Sequence, residues 1–181
     1  MILFLIIVVI ALVVLSKAFN SPKCSISSDA LKMMQDVYAG LSEEQKYSIY
    51  NLASIFVECA KGDYTKFREA KKIQNLTKMS LKINTIVAYQ YFQRTGIERM
   101  ISDLKTIDDE AIKDNILIAC YGLVSLANGT LNGYDVQASA GNMFMNVFIE
   151  MGYTENDIDN IVKRNQAMMN YFGNYQQKRN I

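Results

Sequence analysis

The chain has 181 residues, half of them apolar, with 19 basic against 18 acidic side chains, nine glycines and one proline. That composition belongs to a globular domain with a short appendage, and a net charge of +1 excludes the strongly basic surface of a dedicated nucleic-acid binder. Histidine is absent, which removes Ser-His-Asp and Cys-His nucleophile activation together with imidazole-based zinc sites, and leaves carboxylates, lysines, tyrosines or a thiol as the available catalytic groups.

Residues 1–19 read as a transmembrane anchor or a signal segment. Ile2–Leu15 contains only Ile, Leu, Val, Phe and Ala. At about 1.5 Å per residue that run spans about 21 Å, short of a hydrocarbon core of roughly 30 Å. Continuing through Ser16, Lys17, Ala18 and Phe19 nearly closes the gap, because the Lys17 stem can snorkel to the headgroups. Lys17, Lys23 and Lys32 follow the run and no basic side chain precedes it, so positive-inside logic places the domain in the cytoplasm. The alternative is export, with cleavage near Ala18 giving a secreted or periplasmic protein.

Residues 20–28 form a polar spacer carrying Cys24 and the only proline, Pro22. The folded domain is expected over residues 29–171. Ser28 or Asp29 caps a first helix, ended by Gly40, and Ser42 with Gln45 three residues on forms a capping box for the next. Ile49, Leu52, Phe56 and Cys59 line one face of that second helix, which stops at Gly62. From Asp63 or Thr65 a long helical pattern runs towards Arg94, with Phe67, Ala70, Leu76, Met79, Ile83, Ile86 and Tyr89 as expected core positions and a division at Asn84-Thr85. A short helix from Gly96 to Leu104 follows, and Asp108, Asp109 and Glu110 open another at the positive end of its dipole. Helical patterns over residues 132–151 and 154–171 complete the domain, and a polar tail occupies residues 172–181.

A spaced echo runs through this pattern. Ala60-Lys61-Gly62 and Ala127-Asn128-Gly129 end two apolar helices 67 positions apart, and at the same spacing Ile49 pairs with Ile116, Phe56 with Leu123 and Val57 with Val124. The expected fold class is therefore all-α, a bundle of about six to eight helices built from two helix-turn-helix repeats and carrying an N-terminal apolar anchor helix. In each turn the glycine supplies a positive φ, and the apolar residue two places on, Tyr64 or Leu131, is expected to tuck into the core. Cys59 and Cys120 fall on the apolar faces and read as core thiols.

The second turn, from Ala127 to Asp135, and the later run Met151-Gly152-Tyr153-Thr154-Glu155-Asn156-Asp157-Ile158 resemble the tellurite-resistance TerB-like family over roughly residues 41–165. That family joins its helices at an Ala-Asp-Gly turn with an acidic residue farther on. The resemblance implies an all-α, non-enzymatic accessory or scaffold role in envelope stress or defence, and a divalent cation bound by the turn carboxylates. Here the aspartate positions read Lys61 and Asn128, and the distal acidic position is matched by Asp135, with Glu69 displaced by one residue. Asn128 and Asp135 are thus the residual metal candidates. Against that stands capping, with Asn132 as helix N-cap and Asp135 at its third position. No other cofactor is expected.

Arg68, Lys71, Lys78 and Lys82 fall three, seven and four residues apart, near one helix face, and are candidates for docking to an anionic surface, where each would add about 1 kcal/mol; the competing reading is a solvated helix face. The expected partners are the membrane, through the N-terminal segment, and a protein, with no nucleic acid and no small-molecule substrate. An exported helical binding or inhibitor protein, formed by signal cleavage, is the alternative function.

Overall fold

The computed structural model describes residues 27–131 and 134–179. The anchor segment over residues 1–19, nearly all of the spacer, Asn132 and the end of the polar tail lie outside the described residues.

Among the described residues the fold is all-α apart from one two-residue β-ladder. Helix α1 (Ser28–Val37) starts from a Ser27 cap, α2 (Glu43–Glu58) from Ser42 and α3 (Tyr64–Leu81) from Asp63. Next come α4 (Thr85–Lys105), capped by Asn84, and α5 (Glu110–Ser125), capped by Asp109. Strands β1 (Thr130–Leu131) and β2 (Tyr134–Asp135) pair antiparallel, Thr130 with Asp135 and Leu131 with Tyr134, and α6 (Val136–Glu150) and α7 (Glu155–Arg179) close the chain. The last helix thus continues past Tyr171, where the apolar pattern ends. None of the described helices is long and apolar enough to cross a membrane.

Each start has a local cause in a short polar side chain that satisfies free N–H groups of the first turn. Ser42 Oγ accepts from the Gln45 amide at 3.1 Å while Gln45 Oε1 accepts from the Ser42 amide at 2.9 Å, so the expected capping box is formed. The single long helix expected from Asp63 to Arg94 divides as the sequence suggests, because Lys82 takes a left-handed conformation (φ 53°) and Asn84 caps a new helix. Gly96, expected to open a separate short helix, breaks the run there with φ 73° and ψ −174°, so that α4 consists of two helices meeting at a kink.

The echo extends into a third helix in the order of elements. Helices α2 and α5 start and stop at positions 67 apart, and each packs against the two helices that follow it. The corner between α3 and α4 has its counterpart between α6 and α7, where Gly152 (φ 99°) stands in the left-handed place of Lys82 and Thr154 in the capping place of Asn84. Helices α2 and α5 also pack on each other and carry the centre of the core: Leu52, Phe56 and Val57 from one, Ile116, Leu117 and Leu123 from the other, all buried.

The two glycine turns dock face to face. The Asn128 amide donates to the Cys59 carbonyl at 3.1 Å, and a Cβ on Gly62 would stand 2.6 Å from the Asn128 carbonyl oxygen. Gly62 is therefore required for close approach. A positive φ, expected at both turns, is found at Gly129 (94°) and not at Gly62. Tyr64, expected to tuck inward, is 78% exposed at the first turn of α3; the Leu131 side chain lies outside the described environment.

Three expected core residues are also on the outside. Met79 is 43% exposed, Ile86 67% and Tyr89 59%, whereas Ala70, Leu76, Ile83 and Ala88 are buried. For Ile86 and Tyr89 the physical reason is the break at Lys82, which rotates the phase of α4, so that apolar residues spaced as if on one continuous helix no longer share a face; Met79 precedes the break, on α3.

Candidate binding groove of the second repeat

The residual metal candidates serve the backbone. Asp135, and not Asn132, is the N-cap of α6: its Oδ1 accepts from the amides of Gln137 at 2.8 Å and Ala138 at 3.1 Å. The turn is fixed further by the Val136 amide donating to the Gly129 carbonyl at 3.1 Å, and Asn128 is held through its backbone against Cys59. Asp63 performs the same capping for α3, accepting from Lys66 at 3.0 Å. Among the described residues, no group of three or more Cys, Asp or Glu stands close enough to hold a metal ion.

The four basic candidates divide along α3. Lys71 is half-buried, donating to Gln74 Oε1 at 2.9 Å with its ammonium 5.4 Å from the centre of the Phe67 ring; Gln74 in turn donates to Ser54 Oγ on α2 at 2.7 Å. Arg68 is exposed near the start of the helix, and Lys78 and Lys82 are exposed at its end.

A buried polar cluster holds the kink of α4, a feature with no simple pattern in the sequence. Asp103 Oδ2 accepts from Ser48 Oγ on α2 at 2.8 Å and from the Tyr91 hydroxyl at 2.6 Å, and Arg99 Nε meets Oδ1 at 2.9 Å. Tyr91 precedes Gly96 while Arg99 and Asp103 follow it, so one carboxylate clamps both halves of the helix. Desolvation and the bond to Asp103 raise the Tyr91 pKa and keep its hydroxyl a donor. With a paired carboxylate and partners all within the fold, this cluster reads as structural.

The second repeat leaves a groove of about 600 Å³ between α5, α6 and α7. Tyr121 and Val124 come from α5, Phe144 and Met145 from α6, and Ile158 and Val162 from α7. Gly141 on α6 opens it, since a Cβ there would meet nothing within 4 Å. Phe144 forms its rigid wall: the ring lies 6.1 Å from Tyr121, 4.9 Å from Phe148 and 6.5 Å from Phe56 in the opposite repeat. Glu155, Asn156 and Asp159 stand exposed at the rim. In the first repeat the position of Tyr121 is taken by Ser54, which the Gln74 bond ties down to α3.

Nothing in the order of residues marks the groove, because its lining comes from three separate helices. What the groove offers is an apolar floor, a flat aromatic wall and a rim carrying Glu155 and Asp159, the second ion-paired with Lys163. Comparisons of this chain with models of protein families, with curated proteins and with solved structures gave no match.

Proposed function

We propose that this chain is a non-enzymatic, membrane-tethered accessory or scaffold protein of TerB-like kind, acting in envelope stress or defence, and that it engages a protein segment in the groove of its second repeat. The observation that carries the binding role is the pairing of the apolar floor with two exposed carboxylates, Glu155 and an Asp159 that Lys163 already pairs. That pairing suits a helix or extended segment with apolar anchors flanked by lysine or arginine. The tether rests on the apolar run Ile2–Leu15, and the family setting on the turn and junction residues.

The test uses the full chain and a fluorescent amphipathic helix with leucines on one face and lysines along its edges. Binding is expected to weaken at least about tenfold in Glu155→Lys/Asp159→Lys. Gly141→Met is expected to abolish it by filling the space above Gly141. Binding that survives both changes would overturn the groove assignment.

A further inference from the structure

We propose that the corner between α3 and α4 is a lipid-contact edge that seats Ile86 and Val87 in the interface of an anionic membrane, with Lys78 and Lys82 against its headgroups. The proposal deepens the membrane reading and is independent of the groove.

Ile86 and Val87 occupy the first turn of α4 with 67% and 37% of their surface exposed, and Met79 and Tyr89 stand out beside them at the same corner. Exposed aliphatic residues clustered at one tip are a contact surface rather than ordinary scatter. The stretch of chain around them is cationic. No acidic residue occurs between Glu69 and Glu98, a stretch that carries Lys71, Lys72, Lys78, Lys82 and Arg94. Lys78 and Lys82 are one helical turn apart and both exposed, directly before the apolar tip.

The repeat supplies an internal control. At the equivalent corner between α6 and α7, the places of Ile86, Val87 and Tyr89 are taken by Asn156, Asp157 and Asp159. There Thr154 and Asp157 form a reciprocal cap: the Thr154 amide donates to Asp157 Oδ2 at 3.0 Å and the Asp157 amide to Thr154 Oγ1 at 3.2 Å. At the first corner Val87 occupies the acidic place, and Asn84 alone caps the helix, accepting from Ile86 at 3.0 Å. The same backbone thus accepts acidic side chains, so folding does not require the apolar ones. Giving up half of a capping box for an exposed valine makes sense when the valine has a partner.

Charge selects the partner. A neutral apolar patch would suit many proteins, but an aliphatic tip inside an acid-free basic stretch suits an anionic bilayer, where each lysine near the surface multiplies partitioning about fivefold. The anchor run expected at residues 1–19 would hold the domain at such a surface.

The chain contains no tryptophan, so a single introduced indole reports on one place. Full-length Ile86→Trp and Asn156→Trp would be reconstituted with vesicles of brominated phosphatidylcholine, with or without roughly 30% phosphatidylserine. The expected result is a blue-shifted, quenched emission for Ile86→Trp on anionic vesicles, at least about threefold less quenching on neutral ones or after Lys78→Glu/Lys82→Glu, and unquenched emission for Asn156→Trp. Flotation with neutral vesicles scores the tether separately. Flotation without quenching of Ile86→Trp overturns the corner and leaves the tether standing; equal quenching at both corners, or quenching indifferent to lipid charge and to the lysines, also overturns it and points to a protein partner for the exposed tip.

Discussion

Gly62 shows how one position can be identified from sequence for a reason that the fold replaces. Its neighbour across the repeat is backbone, with the Asn128 carbonyl 2.6 Å from where a Cβ would stand, and a backbone wall cannot rotate away as a side chain can. Gly62→Ala is therefore expected to destabilise the domain by about 1–3 kcal/mol through forced separation of the two turns, read as a lowered denaturation midpoint at unchanged slope. Two titratable groups, the buried Cys120 and the half-buried Tyr38, set a second limit. Cys120 is 2% exposed and burial pushes its thiol up from an ordinary 9.0; burial, then the nearby Cys120, pushes the Tyr38 hydroxyl up from 10.0 to about 12. Both are acids whose pKa is raised on folding, so the unfolded chain releases these protons first. Their contribution to stability is full below pH 9.0 and falls as the pH rises through 9.0 and 10.0 towards about 12. Thermal melts across that window should show a declining Tm, and Cys120→Ala with Tyr38→Phe should make the decline shallower, the rest coming from groups such as Tyr153 that burial also raises.

At the scale of elements, helix α4 is bent where a helix would ordinarily be straight, and the bend has a named cause. Gly96 holds φ 73° and ψ −174°, a region open essentially to glycine alone, while Asp103 binds Tyr91 before the bend and Arg99 after it. Gly96→Ala is expected to cost about 1–3 kcal/mol, although no atom lies within 4 Å of the added methyl, because the penalty is in the backbone. Gly141 provides the contrast: it lies within α6, meets nothing within 4 Å and has no positive φ, so Gly141→Ala should stabilise by roughly 0.5–1 kcal/mol. Chemical denaturation of the two variants side by side separates conformational strain from helix propensity. Element starts were the most legible part of the sequence, since Ser42, Asp63 and Asp109 cap where short polar residues precede apolar periodicity. The faces of α4 were not legible. Ile83, Ile86 and Tyr89 keep helical spacing on paper, yet the left-handed Lys82 resets the phase and leaves only Ile83 inside.

Over the whole molecule, the two repeats have parted in charge. The first carries the acid-free stretch from Ala70 to Ile97, and the second presents Glu150, Glu155, Asp157 and Asp159 around its corner and groove. If the basic corner faces a membrane on the cytoplasmic side, added protease should spare the domain in intact cells and digest it after lysis. A mature chain beginning at Phe19 would instead place it outside and favour the exported alternative. The sequence by itself determined the all-α class and the caps at Ser42, Asp63 and Asp109, because hydrophobic period and polar caps act over a few residues and survive in any tertiary setting. The tertiary structure alone decided that the repeat extends to three helices, that Gly62 is needed for contact, and that Phe144, Gly141 and Ile158 open a groove while Ile86 and Val87 face outward. These depend on which faces of distant segments meet, and pairwise burial between α2 and α5, or among α5, α6 and α7, leaves no local signature in the order of residues.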